Sequence, residues 1–399
     1  MYRDYGVLYH PKLEIDERME YIAGMARREQ HSATISLSER NPFDLTMTDL
    51  RGVHRMAIEE PLMFGEGTSK ETQDLMRSMM AAHMAGPMMP EKIQTNFPIH
   101  FPELLYELYE YYGHKKPRIE KLQAQIRPVI RKTNTEREEY DQATTHSGGL
   151  DSVYRIVKLL EQGETPLAVH LKNLNAKGNF RESMASEEQC KAWGVPYVSV
   201  RLRNGSGSSG FETMRTRDLL LALTVAVQAA PNKVKRVLLE GDMGSSKDYH
   251  FSENLNIWKW FNKVLKETGL DLEVVGVDAG DIETIGEVIE LEKKLGFSIL
   301  PMVQNCFSAA FQVGNNRRKW ERETPKIAEL SSYHWCGSCL KCRRMTLGRI
   351  YYADPRFRNI TKEEISYFVT DTYKWLEKYQ NNADLISKSF LTHLAALAT

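Results

Sequence analysis

Two short stretches of this chain carry residue types able to do chemistry. The first is Ser147-Gly148-Gly149-Leu150-Asp151-Ser152, preceded by Thr144-Thr145-His146. Glycines lack a Cβ, so they can take positive φ and bring backbone N–H groups close to an anion, while a helix starting there turns its positive end toward it. Ser147 and Ser152 add hydroxyls, and Asp151 adds a carboxylate suited to Mg²⁺ or to capping. No Gly-Lys-Ser/Thr follows, so this is not a Walker loop, yet a polyphosphate such as ATP fits its donors. The bland alternative is a glycine-rich turn with no ligand. The second stretch is Cys336-Gly337-Ser338-Cys339-Leu340-Lys341-Cys342, with Cys306 thirty residues earlier. Four thiolates at this spacing suit a closed tetrahedral Zn²⁺ site, with an iron–sulfur cluster as the competitor. Cys190, the fifth cysteine, falls in a helical stretch and reads as a buried thiol rather than a nucleophile.

The elements that must position these groups follow from periodicity. Residues 142–145, 166–171, 195–201, 234–239 and 272–277 read as short strands, and 151–160, 182–193, 217–228, 254–266 and 282–295 as helices between or after them. Such alternation predicts βαβ units and a parallel sheet covered on both faces, with ligands beyond the carboxyl ends of the strands. The fold expected is therefore α/β, a parallel-sheet domain over 140–399 with an N-terminal α+β extension over 1–139. Two further polar loops fall at strand ends. Residues 240–250 hold Asp242, Lys247, Tyr249 and His250, and residues 204–210 form a Gly/Ser segment able to act as a lid or to remain an idle surface loop. Arg217 opens the long helix, where it can serve a site or simply pair with Asp218.

Lysine plus arginine equals aspartate plus glutamate at 53 each, so no global field draws in nucleic acid or an anionic membrane. No apolar run of about eighteen residues exists and residues 1–5 lack a signal-peptide core, so the expected location is cytoplasmic. In the extension, Thr68-Ser69-Lys70-Glu71 reads as a capping box before a helix whose Met76, Met79, Met80 and Met84 form a stripe expected to be core. A second helical pattern covers 101–109. Residues 114–137 carry eight lysines and arginines against two glutamates and read as a solvated helix or connector. Residues 361–398 read as two amphipathic helices.

Ser147-Gly148-Gly149-Leu150-Asp151-Ser152 resembles the SGGxDS loop of the PP-loop ATP pyrophosphatases, an adenine nucleotide alpha hydrolase-like, Rossmann-like superfamily. Together with Arg217, the Gly241-Asp242…Tyr249 loop and the four cysteines, residues 140–358 resemble the QueC family, the 7-cyano-7-deazaguanine synthases. The resemblance implies ATP binding by Thr145, Ser147, Gly148, Gly149, Leu150, Asp151, Ser152 and His170. It further implies substrate contacts at Asp242 and Tyr249, catalytic roles for Asp151, Arg217 and Lys247, and Zn²⁺ on Cys306, Cys336, Cys339 and Cys342. It implies adenylation of 7-carboxy-7-deazaguanine with pyrophosphate release, then amide formation, and, in the synthases, dehydration to the nitrile. Two motifs depart from the family: Tyr249-His250-Phe251-Ser252 replaces Tyr-Pro-Asp-Cys, and Met214-Arg215-Thr216-Arg217-Asp218 replaces Pro-x-Arg-Asn. A QueC-like core with an N-terminal extension also resembles the extended proteins of bacterial type IV CBASS antiphage systems, where the acceptor is a protein amine instead of ammonia. A homodimer is the common assembly of such cores. A PP-loop tRNA-modifying enzyme and an inactive nucleotide-binding scaffold are the alternatives from other classes.

Overall fold

The computed structural model describes residues 32–49, 52–58, 69–87, 89–111, 113–122, 139–172, 180–204, 210–240, 251, 255–277, 282–304, 306, 310–331, 335–378 and 388–398. Three strands come first, β1 (Ser32–Leu37), β2 (Asp44–Asp49) and β3 (Gly52–Ile58). They are followed by α1 (Lys70–Ala85), β4 (Lys92–Thr95), α2 (Pro102–Tyr111) and β5 (Arg118–Lys121). The alternating part then runs β6 (Gln142–Thr145), α3 (Leu150–Glu161), β7 (Leu167–Lys172), α4 (Phe180–Trp193) and β8 (Tyr197–Asn204). It continues through α5 (Gly210–Ala229), β9 (Arg236–Glu240), α6 (Leu255–Glu267), β10 (Glu273–Val277) and α7 (Glu283–Leu295). The chain ends in α8 (Ala310–Glu323), α9 (Pro325–Glu329), α10 (Leu340–Tyr351), α11 (Lys362–Lys378) and α12 (Lys388–Ala398).

The ten strands among the described residues form one sheet, in the order β10-β9-β6-β7-β8-β3-β2-β1-β4-β5. The first five of that order are mutually parallel, as alternation with helices predicts. The chain leaves β6 for β7 and β8 on one side and later returns to β9 and β10 on the other. The switch point therefore lies between the carboxyl ends of β6 and β9, the place where such sheets bind ligands.

The sheet does not stop where the alternating pattern begins. β3 pairs antiparallel with β8 through Met56↔Asn204, Ala57↔Arg203 and Ile58↔Leu202, which carries the sheet into the antiparallel β1–β3 meander. One apolar core joins the two parts, with Ile35, Met47 and Met79 packed in the same cluster as Leu219, Leu223 and Phe261. Met76, Met79, Met80 and Met84 are all buried, so the methionine stripe is core. The N-cap of α1 is Ser69, whose oxygen accepts from Thr72 N at 3.0 Å, one residue beyond the Thr68/Glu71 box expected from sequence. The Ser69 and Thr72 hydroxyls also donate to Thr268 O, at 2.5 and 3.0 Å, which fixes α1 to the end of α6.

A second cluster gathers the chain's end around the cysteines. Leu150 and Val153 of α3 share it with Ile285, Val303, Trp335, Cys336, Cys342 and Phe368. No helix among the described residues is long and apolar enough to cross a membrane.

Candidate functional site

The loop after β6 is built from its own residues and from what packs behind it. Gly148 takes φ +76°, and a Cβ there would lie 3.1 Å from Ala185 Cβ and 3.2 Å from Ser186 N. Glycine is thus needed both for its backbone and for its close approach to α4. Gly149 is the N-cap of α3 and supplies no side-chain cap, which leaves the first helical N–H groups without a capping side chain where the loop opens. Asp151 sits in the first turn as an acidic border to that opening and makes no capping bond. Ser147 is exposed at the rim, and Ser152 is buried within. The Ser152 hydroxyl accepts from Ser147 N at 3.2 Å and donates to Gly149 O at 3.0 Å, closing the loop on itself.

Thr145 and His170, two of the residues expected at a nucleotide, also brace the loop from within the protein. Thr145 gives both its carbonyl and its hydroxyl oxygen to Arg155 Nη2, at 3.2 and 3.1 Å, and Arg155 Nε reaches Thr144 Oγ1 at 3.1 Å. Both nitrogens of His170 are committed to the protein. Nδ1–H donates to His146 O at 2.7 Å, which leaves Nε2 to accept from the Ser183 hydroxyl at 2.8 Å. Leu150 is fully buried, so its side chain belongs to the core and only its backbone faces the loop.

Burial dictates the charge state of these histidines. It pulls His170 down to about 4 and His146 to about 3, with His170 and Arg155 adding to the effect on His146. His83 on α1 is likewise lowered to about 4 by burial, then by Arg217. An unfolded histidine binds its proton near pH 6.5, so the unfolded chain takes up more protons on acidification and folding weakens as the pH falls. Stability is therefore expected to be complete above about pH 6.5 and to fall toward pH 4 by about 1.4 kcal/mol per pH unit for each of these histidines. Denaturant midpoints measured between pH 7.5 and 5 check this; a flat profile contradicts neutral burial.

Arg217 lies on α5 with its Nε 2.9 Å from Asp218 Oδ1, the ion pair weighed above as its simplest role. The preceding residue, Thr216, meets His83 Nδ1 at 2.9 Å across the α1–α5 contact. Glu182, in the first turn of α4, was not singled out from sequence. Burial raises its carboxyl, opposed by Lys341, Arg217 and Arg181. Arg217 and Lys341, the latter inside the cysteine run, thus act on the carboxylate of Glu182, whose backbone carbonyl oxygen lies 3.4 Å from the Cβ position at Gly148. Asp242, Lys247 and Tyr249 lie outside the described residues, as do 205–209 of the Gly/Ser segment and 123–137 of the basic run.

The four cysteines do converge. The sulfurs of Cys306, Cys336, Cys339 and Cys342 all lie within 4.8 Å of one another, with Cys336–Cys342 at 3.9 Å and Cys339–Cys306 at 4.0 Å. Thiolates at ~2.3 Å around one tetrahedral ion stand about 3.8 Å apart, so the spacing fits a single ion. Backbone N–H groups of Cys339 and Ser338 approach Cys336 Sγ at 3.3 and 3.4 Å, and Cys336 N approaches Cys306 Sγ at 3.4 Å. The thiols cannot all ionise unaided. Cys306 falls to about 7, opposed by Cys336 and helped by Cys339 and Cys342, while its neighbours hold Cys339 well up and burial does the same to Cys342. A bound metal would resolve that conflict. Gly337 forms the tight turn, since a Cβ there would sit 2.2 Å from the Trp320 ring. Cys190 is fully buried and its thiol is pushed up to about 12 by burial, which suits a packing residue and not a nucleophile.

No protein-family model and no curated protein matches the sequence. Among solved structures, the fold is similar to that of the U34-tRNA thiolase NcsA from Methanococcus maripaludis, determined with its [4Fe-4S] cluster, at 13% identity and a TM-score of 0.31. The match covers 47% of this chain and 68% of that one.

Proposed function

We propose that the chain uses ATP to activate a carboxylate, transferring AMP to it with loss of pyrophosphate, and then passes the acyl group to an amine. The observation that carries this reading is the loop at the switch point of the sheet, where Gly148 at φ +76° and an uncapped helix start direct N–H groups into one opening. Backbone N–H groups of 148–151 hold the departing pyrophosphate, and Ser147 Oγ adds a donor at the rim. Asp151 would hold Mg²⁺, which would supply charge neutralisation for the departing pyrophosphate. Arg217 and Lys247 stabilise the crowded α-phosphorus as the carboxylate oxygen attacks. The acyl-adenylate is itself the activated species, so no protein nucleophile is needed, in keeping with the inert Cys190.

The finer reading rests on the QueC resemblance. The carboxylate is that of 7-carboxy-7-deazaguanine, Asp242 and Tyr249 bind it, and Cys306, Cys336, Cys339 and Cys342 hold Zn²⁺ as a structural ion. Residues 1–139 present the acceptor, a protein amine in an antiphage system, or ammonia in the synthase alternative. The test incubates the chain with ATP, Mg²⁺ and carboxydeazaguanine, with ammonia in one arm and neighbouring gene products in the other, following pyrophosphate and product mass. A protein adduct supports conjugation. Rapid nitrile with no adduct makes it a synthase, and no substrate-dependent pyrophosphate removes the enzyme reading.

A further inference from the structure

The two sites are bonded to each other. The carbonyl of Gly148, in the middle of the loop, accepts two hydrogen bonds from outside it, from Gln304 N at 2.8 Å and from Gln189 Nε2 at 3.1 Å. The same Gln189 Nε2 donates to Met302 O at 2.7 Å. A carboxamide nitrogen has two hydrogens, and both are used here on carbonyls, which also fixes the orientation of the amide. Gln189 is fully buried, so these bonds are made away from water, where losing one costs most. Val303 and Cys306, near Met302 and Gln304 in the chain, meet the cysteine site: Trp335 Nε1 donates to Val303 O at 2.9 Å, and Cys336 N approaches Cys306 Sγ. Leu150 and Val153, just after the loop, pack in the apolar cluster that contains Cys336, Cys339 and Cys342.

We propose that the four-cysteine site organises the nucleotide loop, with Gln189 as the positioning residue between them, so that metal occupancy and anion binding at the loop are coupled. With the sulfurs held by an ion, Met302 and Gln304 stay in register with Gln189 and Gly148 O and keep the loop's N–H groups convergent. With the sulfurs released, that brace loosens and the loop loses two of the bonds that hold Gly148 in its left-handed conformation. Linkage makes the effect reciprocal: whatever factor the metal adds to anion affinity, the anion adds to metal affinity. Couplings of this kind typically amount to about 5- to 150-fold. The nucleotide half of the proposal rests on the function proposed above; the structural half does not.

The experiment is hydrogen exchange on the full chain without nucleotide, zinc-loaded and after chelation. Amides of 147–152 are expected to exchange at least about tenfold faster once zinc is removed, with peptides covering β1 and β4 unchanged. Unchanged loop exchange overturns the proposal. Should chelation unfold the whole chain, Gln189→Met at full zinc stoichiometry decides: faster loop exchange upholds the brace, and unchanged exchange overturns it. In parallel, MgATP is expected to slow zinc transfer to a chelator by the factor that zinc adds to MgATP affinity. MgATP that binds without slowing transfer refutes the coupling. A wild-type chain that binds no MgATP refutes the proposed function, while the exchange result still decides whether the brace exists.

Discussion

Cys342→Ser is expected to abolish stoichiometric metal binding and to lower stability by on the order of 5 kcal/mol or more, the largest effect of any single substitution in this chain. Cys342 lies in the first turn of α10, is 1% exposed, and has its sulfur 3.9 Å from that of Cys336. Serine supplies a poor ligand to a soft-ligand site and leaves a buried hydroxyl without its ion. The loss does not stay local. The cysteines are embedded in the core formed by Trp335, Ile327, Met345 and Phe368, so releasing the ion removes the bonds that tie Cys306, Cys336 and Cys339 together and obliges these sulfurs to take up protons inside it. Metal content by mass spectrometry, near-ultraviolet circular dichroism of Trp320 and Trp335, and denaturant midpoints read the outcome together. A variant that keeps one ion per chain and its melting point rules out the four-sulfur site.

Gly148→Ala is expected to disable the loop while leaving most of the fold in place. At φ +76° an L side chain costs about 1–2 kcal/mol. The new methyl also stands 3.1 Å from Ala185 Cβ and 3.2 Å from Ser186 N, tighter than packing allows, for a further ~1–3 kcal/mol of overpacking. The cheapest relief is a shift of the loop away from α4, which breaks the bonds to Gln304 N and Gln189 Nε2 and moves the N–H groups from their common focus. A misplacement of about 1 Å can cost on the order of 100-fold in rate. Gly163 is the matched control: its φ of +79° is similar, but nothing lies within 4 Å of its Cβ position. Gly163→Ala therefore isolates the backbone cost. Thermal melts and ATP–pyrophosphate exchange on both variants compare the two sites, and equal exchange activity would show that the loop's packing does not matter.

The groups closest to the chemistry were legible from spacing within a few residues. Ser147 to Ser152 and Cys336 to Cys342 each encode a turn whose glycines and ligand atoms are set by local backbone geometry, and both form as their sequences indicate. The strands and helices of the alternating part were legible for the same reason, because apolar periodicity is a local property. His170 was less so: its type suggests a ligand contact, but whether its nitrogens face a cofactor or His146 and Ser183 depends on strands and helices brought together by the fold.

The sequence by itself determined the glycine loop after β6, the Cys336, Cys339 and Cys342 run and the α/β class, since each is written in residues close together along the chain. Only the tertiary structure decided that β3 pairs with β8 and so draws the extension into the same sheet, that the Glu182 backbone lies against Gly148, and that Gln189 and Gln304 bond the loop to the cysteine site. The physical reason is separation. Gln189 meets Gly148 from 41 residues away and Met302 from 113, and no periodicity or propensity over such distances selects one buried carbonyl for one amide; close packing of the assembled core does.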